Sequence, residues 1–228
     1  MNRQNAIKCG IGVFAGILLS LQTACMADQN GQAKHASASV DSIVLGMGCF
    51  WGAEKRMSAL PGVVDVESGY ANGEIEGDYQ EILEHESRLR LGLTSKRNHA
   101  EVVKVTFDTS KTDLTAVLIG FWENHNPTQG DRQGNDVGSN YRSAIYTHSA
   151  QQLAAALQTR TVYQKALEQA GYGKITTEIA PLKSYFTAEA YHQDYLVKNP
   201  KGYCGLGGTG VKYPSSHSDA ASQKILTP

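Results

Sequence analysis

The alternation of short β-branched segments with helical patterns is the feature that most constrains how this chain can fold. The patterns predict strands over 40–47, 63–70, 101–107, 143–146 and 175–179, and helices over 50–60, 113–124, 149–170 and 187–196. Some connections are too short for the crossover that parallel neighbours require. The pattern predicts an α+β two-layer sandwich, and we expect a ferredoxin-like arrangement of a mixed sheet with helices and long loops.

Two stretches of the chain lack hydrophobic periodicity. Residues 72–98 carry many charges, and we interpret them as a long surface excursion. After Pro200 the chain is glycine-rich, which predicts a mobile C-terminal tail. The string from Gly205 to Gly210 matches the dinucleotide-binding pattern, but no predicted strand precedes it and no helix follows it. The match therefore does not indicate a nucleotide site.

The first 27 residues have the features of a secretory signal peptide. Two basic residues and no acid precede a short apolar run at 11–21, and small residues follow the run. Two cleavage sites stay open: a lipoprotein signal cut before Cys25, and ordinary cleavage after Ala27. We expect an exported protein, free in a bacterial periplasm or membrane-anchored through a lipid at Cys25 and facing the periplasm.

A mature protein cut at either site would carry Cys49 and Cys204 in its body. In an exported protein two cysteines are typical of one structural disulfide, but a reactive pair is also consistent with the sequence. The formal net charge of the chain is −1. This charge argues against nucleic acid as a partner, because phosphate binding requires a basic surface.

The segment GMGCFWG places Cys49 at the end of a predicted strand, directly before a predicted helix. The free N–H groups and positive dipole end of a helix lower the pKa of a thiol, so we expect a reactive thiolate. Phe50 and Trp51 would supply aromatic walls beside it. The alternative is a buried cysteine that only packs in the core.

Glu101 opens an otherwise apolar strand. An inward-pointing carboxyl would be buried, and burial would keep it protonated near neutrality as a general acid requires. An outward-pointing carboxyl would be a charge at the strand edge, and periodicity does not decide between the two. The polar loop at 121–143, which contains Tyr141 near its end, is consistent either with a cleft wall or with a solvated connection.

Four motifs in order carry a resemblance to a known family. They are GCFWG, HAEVV, FWENHNPTQGDRQGNDVGSNYRSAIY and HQDYLVKNPKGYCGLGG. Together they closely resemble peptide-methionine (S)-S-oxide reductase, the A type of methionine sulfoxide reductase, from about 42 to about 211. The resemblance makes 42–213 the catalytic domain, between a polar tether at 28–41 and a flexible tail at 214–228.

The resemblance implies a role for each matched position. Cys49 would attack the sulfoxide sulfur, and Glu101 would protonate the sulfoxide oxygen. The other matched positions are Tyr79 and Tyr141, which bind that oxygen, Asp136, which supports them, and Phe50 and Trp51, which line the pocket for the substrate methyl group. Attack leaves a sulfenic acid on Cys49. Cys204 would convert it to a disulfide that a thioredoxin-like donor reduces.

The resemblance also implies a substrate and a cofactor requirement. The family reduces the S epimer of methionine sulfoxide, here in exported proteins and as the free amino acid, without a metal or an organic cofactor. Two other classes stay open. One is an exported binding module with a permanent disulfide, and the other is a cysteine acyl transferase or protease using His99 or His125 as a base.

This chain departs from the family pattern in two places. Lys212 stands where some members have a further cysteine, so a relay of three cysteines is excluded. Residues 82–98 form a longer and more charged segment than the family commonly has. Our hypothesis is that this segment contacts a partner or the membrane surface.

Overall fold

The computed structural model describes residues 39–214. The signal peptide predicted at 1–27, the tether up to residue 38 and the tail from residue 215 lie outside the described residues. Within 39–214, no helix is both long and apolar enough to cross a membrane.

Eight strands, five α-helices and one 3-10 turn are described. The strands are β1 (Val40–Met47), β2 (Val63–Ala71), β3 (Ala100–Asp108), β4 (Arg132–Gln133), β5 (Asp136–Val137), β6 (Ser143–Thr147), β7 (Glu178–Pro181) and β8 (Tyr185–Thr187). The helices are α1 (Phe50–Ser58), α2 (Tyr79–Arg90), α3 (Leu114–Glu123), α4 (Ala150–Gln169) and α5 (Tyr195–Lys198), and the 3-10 turn is Ser139–Tyr141.

Six of the strands form one sheet in the order β7-β6-β1-β3-β2-β8. The β6–β7 pair is parallel, and the other neighbours are antiparallel. Strands β4 and β5 pair separately in a short ribbon. The prediction of an α+β fold with a mixed sheet is confirmed, and likeness to solved structures described below supports it.

Helices α1, α3 and α4 share one hydrophobic core with one face of the sheet. Val103, Val105 and Phe107 of β3 belong to this core, whereas Val102 belongs to a smaller cluster on the opposite face. Because side chains alternate along a strand, Glu101 shares the face of Val103. The carboxyl therefore points into the layer between sheet and helices.

The predicted ends of the long helix α4 are confirmed. The side chain of Ser149 accepts a hydrogen bond from the N–H of Gln152, which caps the helix at its start. Gly171 follows the C-terminal cap residue Ala170 with a φ of +81°, a left-handed conformation that glycine adopts without a steric cost.

Three predictions of local structure differ from the structure. The surface excursion at 72–98 contains helix α2, whose first turn is capped by the Asp78 side chain. The helix predicted at 187–196 is instead the end of β8 followed by the short helix α5. Asp194 interrupts it with a φ of +52°, in the left-handed region. The strand predicted at 175–179 begins only at Glu178.

Candidate active site

Cys49 lies at the turn between β1 and α1. Gly48, which precedes it, has a φ of +96°, and a Cβ at that position would lie 2.5 Å from Cβ of Gln133. Both the backbone conformation and the close approach of Gln133 therefore require glycine. Cys49 is the N-terminal cap residue of α1 and is only 9% exposed. The first turn of the helix is thus directed at a nearly buried thiol.

The protonation state of Cys49 differs from the prediction. Burial raises the pKa of the thiol, and the negative charge that Glu101 carries once it is deprotonated raises it further. Hydrogen bonds from the N–H groups of Trp51 and Gly52 lower the pKa but do not offset these effects. The expected low pKa was wrong because loss of solvation outweighs the helix terminus at a buried sulfur. Cys49 is a thiol in the resting protein.

Glu101 lies beside the start of α1. Its Oε2 accepts a hydrogen bond from the N–H of Phe50 at 3.2 Å, and its Oε1 accepts one from Nδ2 of Asn140 at 3.3 Å. Burial raises the pKa of Glu101 to about 8 although both hydrogen bonds lower it, and the charge of Asp136 contributes to the increase. The structure therefore brings an uncharged carboxylic acid to the residue that follows Cys49.

Two half-buried tyrosines face the same groups. Burial raises the pKa of Tyr141 and of Tyr79, and the negative charge that Glu101 and Cys49 would carry once deprotonated raises both further. These influences place the two tyrosines near the thiol and the carboxyl. Each hydroxyl keeps its proton and can donate a hydrogen bond to an oxygen atom bound there.

Asp136, on β5, is half-buried and interacts with the C-terminal segment. Burial raises its pKa, and a hydrogen bond with the hydroxyl of Tyr203 lowers it. Its charge raises the pKa of both Glu101 and Cys49. Asp136 thus lies within electrostatic range of the thiol and next to the residue that precedes Cys204.

Aromatic side chains form one wall of the site. Phe50 is buried against Tyr70 and His192, with ring centroids 5.6 and 5.0 Å away. Trp51 is half-buried and stacks on Tyr195 at 3.7 Å between centroids. The indole Nε1 of Trp51 donates a hydrogen bond to Nδ1 of His192 at 3.0 Å. A flat apolar surface is thereby held beside the polar groups.

Cys204 lies close to the first turn of α1. A Cβ placed on Gly52 would lie 3.1 Å from Sγ of Cys204, so glycine at this position leaves room for the sulfur. Cys204 is exposed, and both Cys49 and Cys204 are free thiols. Within residues 39–214, no disulfide joins these two cysteines.

A family model described as "Peptide methionine sulfoxide reductase" matches residues 41–220. The chain belongs to the peptide methionine sulfoxide reductase family. Its relatives include "Peptide methionine sulfoxide reductase MsrA 1" of Synechocystis, 51% identical over 176 residues that cover 77% of this chain and 75% of the relative. MsrA of Vibrio vulnificus is 50% identical over 188 residues, covering 81% and 85%.

Two solved structures share the fold. Methionine sulfoxide reductase A of Corynebacterium diphtheriae has a TM-score of 0.64 and 40% identity, and the match covers 74% of this chain and 79% of that one. Mxr1 of Saccharomyces cerevisiae in reduced form has a TM-score of 0.63 and 29% identity, covering 80% and 96%. The predicted family is confirmed, and the protein is an oxidoreductase of the MsrA type that acts on methionine sulfoxide.

The two histidines considered as bases for a cysteine acyl transferase or protease are engaged elsewhere in the reductase. Nδ1 of His99 accepts the N–H of Gly73 at 2.9 Å, and its Nε2 bonds the carbonyl of Ile75 at 2.8 Å. His125 bonds the carbonyl of Phe121 and the Ser143 hydroxyl, both at 2.7 Å, and burial lowers its pKa to about 4. Neither histidine forms a hydrogen bond with Cys49 through which it could act as a base.

The glycine-rich stretch after Pro200, predicted to be a mobile tail, is docked on the body of the reductase from Leu206 onward. Leu206 is buried, and its carbonyl accepts a hydrogen bond from Arg56 at 2.6 Å. The further contacts are the hydroxyl of Tyr163 with the carbonyl of Val211, the hydroxyl of Tyr172 with the carbonyl of Thr209, and the N–H of Tyr213 with Glu123. Cys204 directly precedes this docked segment.

Several residues of the site were missed by sequence reasoning. They are Asn140, which bonds Glu101, His192 and Tyr195, which support Trp51, and Glu189, which accepts the N–H of Tyr79 at 2.9 Å. All except Glu189 lie inside the motifs quoted for the resemblance. The motifs were therefore a signal for them, but nothing in their spacing distinguished them from their neighbours.

Proposed function

We propose that the protein reduces the S epimer of methionine sulfoxide, in peptides and as the free amino acid, with Cys49 as nucleophile and Glu101 as general acid. The observation that carries this proposal is the uncharged Glu101, with a pKa of about 8, beside the Cys49 thiol. Sulfoxide oxygen is a poor leaving group until it is protonated, and a neutral acid in a buried site supplies that proton.

The proposed reaction moves one oxygen atom. Sγ of Cys49 attacks the substrate sulfur while Glu101 gives its proton to the sulfoxide oxygen. A bond then forms between this oxygen and Sγ, while the bonds from the substrate sulfur to oxygen and to Sγ both break. Methionine leaves, and Cys49 carries the oxygen as a sulfenic acid. The substrate sulfur gains two electrons and Cys49 loses two. Because the proton lost by the thiol returns to the carboxylate, Glu101 ends the cycle unchanged.

The tyrosine hydroxyls and the aromatic wall orient the substrate in this proposal. Tyr79 and Tyr141 donate hydrogen bonds to the sulfoxide oxygen, and Asp136 supports the polar side of the site. Phe50 and Trp51 receive the methyl group on the apolar side. A pocket with one polar and one apolar side distinguishes the two epimers, because exchanging oxygen and methyl would bring each against the wrong side.

A second step regenerates the thiol at position 49. Sγ of Cys204 attacks Sγ of the sulfenic acid, which releases water and forms a Cys49–Cys204 disulfide. Cys204 is exposed and Cys49 is nearly buried, so a donor thiolate would reach the sulfur of Cys204. We therefore propose a thioredoxin-like dithiol protein as the reductant, with Cys49 leaving and regaining a proton.

Replacing Cys204 with serine tests this step. The Cys204→Ser variant is expected to release about one equivalent of methionine per protein and then to stall, because the sulfenic acid has no resolving thiol. Rapid-quench assays measure the methionine released, and a reagent that traps sulfenic acids detects the oxidised Cys49. Sustained turnover with a dithiol donor at the wild-type rate would contradict the assignment of Cys204.

The direct test of the proposed activity is an assay with each epimer of methionine sulfoxide. The mature protein with a dithiol reductant is expected to consume the S epimer and to leave the R epimer. Equal consumption of both epimers would remove the proposed selectivity, and consumption of neither would remove the activity itself.

The proposed location is the bacterial periplasm, with the protein free or anchored through a lipid at Cys25, and exported proteins as its substrates. The support is the composition of residues 1–27. Intact mass of the protein isolated from its native host checks this. Loss of residues 1–27, or of residues 1–24 with a mass increase from acyl chains on Cys25, is the expected result. A full-length mass would contradict export.

The ferredoxin-like description of the fold also remains our proposal. What supports it is the chain order β1-α1-β2-β3-α3-β6, with these four strands adjacent in the order β6-β1-β3-β2. Strand β3 lies in the middle of this arrangement, where its side chains face the helical layer.

A further inference from the structure

Helix α2, at Tyr79–Arg90, carries a buried carboxylate. Glu86 is 9% exposed. Its Oε2 accepts a hydrogen bond from the Ser139 hydroxyl at 2.6 Å and another from Nδ2 of Asn98 at 3.2 Å, and its Oε1 lies 3.6 Å from Nε of Arg90. The mechanism described above makes no use of this group.

The partner of Glu86 on the active-site side is the start of the 3-10 turn Ser139–Tyr141. The turn carries Asn140, which donates to Glu101 at 3.3 Å, and Tyr141, whose pKa responds to the charges of Glu101 and Cys49. A Cβ on Gly138 would lie 3.1 Å from Oε1 of Glu86. Glycine before the turn therefore permits the close approach of the carboxylate.

Other contacts hold the turn from the opposite side. Nη1 of Arg142 donates to the carbonyl of Ser139 at 2.7 Å and to the carbonyl of Asn98 at 3.1 Å. Glu86 and Arg142 thus share two partners, Ser139 and Asn98. Among the described contacts of the Ser139 hydroxyl, the bond to Glu86 is the one that links the turn to α2.

We propose that Glu86 is a positioning residue for sulfoxide reduction. Its carboxylate fixes the 3-10 turn 139–141. This turn positions the Asn140 amide against Glu101 and the Tyr141 hydroxyl at the sulfoxide oxygen. This inference rests on the proposed function. A buried hydrogen-bonded carboxylate on a rigid helix is suited to the task, since small displacements of catalytic groups lower rates strongly.

The charge state of both carboxyl groups agrees with this role. Burial alone would raise the pKa of Glu86, but the hydrogen bonds from Ser139 and Asn98 hold it below its ordinary value, so Glu86 is ionised. Asn140 lowers the pKa of Glu101, and loss of that bond would raise it. The other groups that act on Glu101 or respond to its charge are the N–H of Phe50, Asp136, Cys49, Tyr70, Tyr79 and Tyr141.

The test compares Glu86→Ala, Glu86→Gln and Ser139→Ala with the control Glu84→Ala. Glu84 lies on the same helix, is exposed and pairs with Arg88 at 2.9 Å, away from the turn. Glu86→Ala is expected to lower kcat/KM for the S epimer about tenfold, mainly through kcat, and to move the alkaline limb of its pH profile upward. Ser139→Ala is expected to lower kcat/KM and shift the pH profile in the same direction. Glu86→Gln, which keeps an acceptor oxygen, is expected to have a kcat/KM between those of the wild type and Glu86→Ala.

Each outcome decides the proposal. A wild-type kcat/KM and alkaline limb in folded Glu86→Ala, or an equal loss in Glu84→Ala, would overturn it. If thermal unfolding shows that Glu86→Ala does not fold, the kcat/KM and alkaline limb of Ser139→Ala test the proposal instead. A change in Tm with wild-type kcat/KM and pH profile would show that Glu86 has only a structural role. Absence of sulfoxide reduction in the wild-type protein would instead contradict the proposed function.

Discussion

Replacing Cys49 with serine is expected to lower the turnover of methionine sulfoxide by about a thousandfold or more, because the step that accepts the oxygen atom is lost. A serine hydroxyl is a poor nucleophile toward sulfur and cannot take up oxygen as a sulfenic acid does. The measurement is methionine release under excess dithiol donor, together with a count of free thiols before and after addition of the sulfoxide.

The control for this prediction is Cys204→Ser, which retains the nucleophile. That variant is expected to consume about one equivalent of sulfoxide, whereas Cys49→Ser consumes none and keeps the thiol of Cys204 unmodified. Steady turnover by Cys49→Ser at a rate near that of the wild type would contradict the assignment of the nucleophile.

Replacing Glu101 with glutamine is expected to lower kcat/KM by about a hundredfold or more, the usual contribution of a general acid. Glutamine preserves the shape of the side chain but has no proton to transfer. In the wild type the acid is uncharged below its pKa of about 8 and loses its proton above it, so kcat/KM is expected to fall as the pH rises through about 8. The variant is expected to lack that limb.

Two measurements separate loss of the acid from loss of the site. Glu101→Gln is expected to keep a Cys49 thiol that a small reagent can alkylate. Glu168→Gln, a change at an exposed position on α4, is expected to leave the wild-type pH profile unchanged. A profile for Glu101→Gln that still falls near pH 8 at wild-type rates would assign the acid to another group.

The motifs around Cys49 and Glu101 supplied most of the functional prediction made from the sequence. Local pattern predicted β1, the start of α1 and most of β3 closely, because each has a strong apolar period and a clear boundary residue. Helix α2 was missed because its buried side chains include His85 and Glu86, which leave its apolar stripe weak. The helix is stabilised by tertiary contacts that no local pattern encodes.

The prediction that the Cys49 thiol is ionised was wrong for a related reason. Position before a helix predicts a lowered thiol pKa, and the hydrogen bonds responsible are present. The depth of burial and the charge of Glu101, which lies 52 positions later in the chain, outweigh them. Burial depends on packing across the sheet and is not readable from neighbours in sequence.

The sequence by itself determined the family and the α+β succession of elements, and it supplied the proposed nucleophile and acid, because motif identity and hydrophobic period are local properties of the chain. Tertiary structure decided which way Glu101 points, how α2 reaches the turn at 139–141, and that the segment after Cys204 lies docked. Those outcomes depend on which strands pair and which faces are buried. Cys49 and Glu101 lose their solvation only once the packed layers exclude water, and this loss keeps both groups protonated.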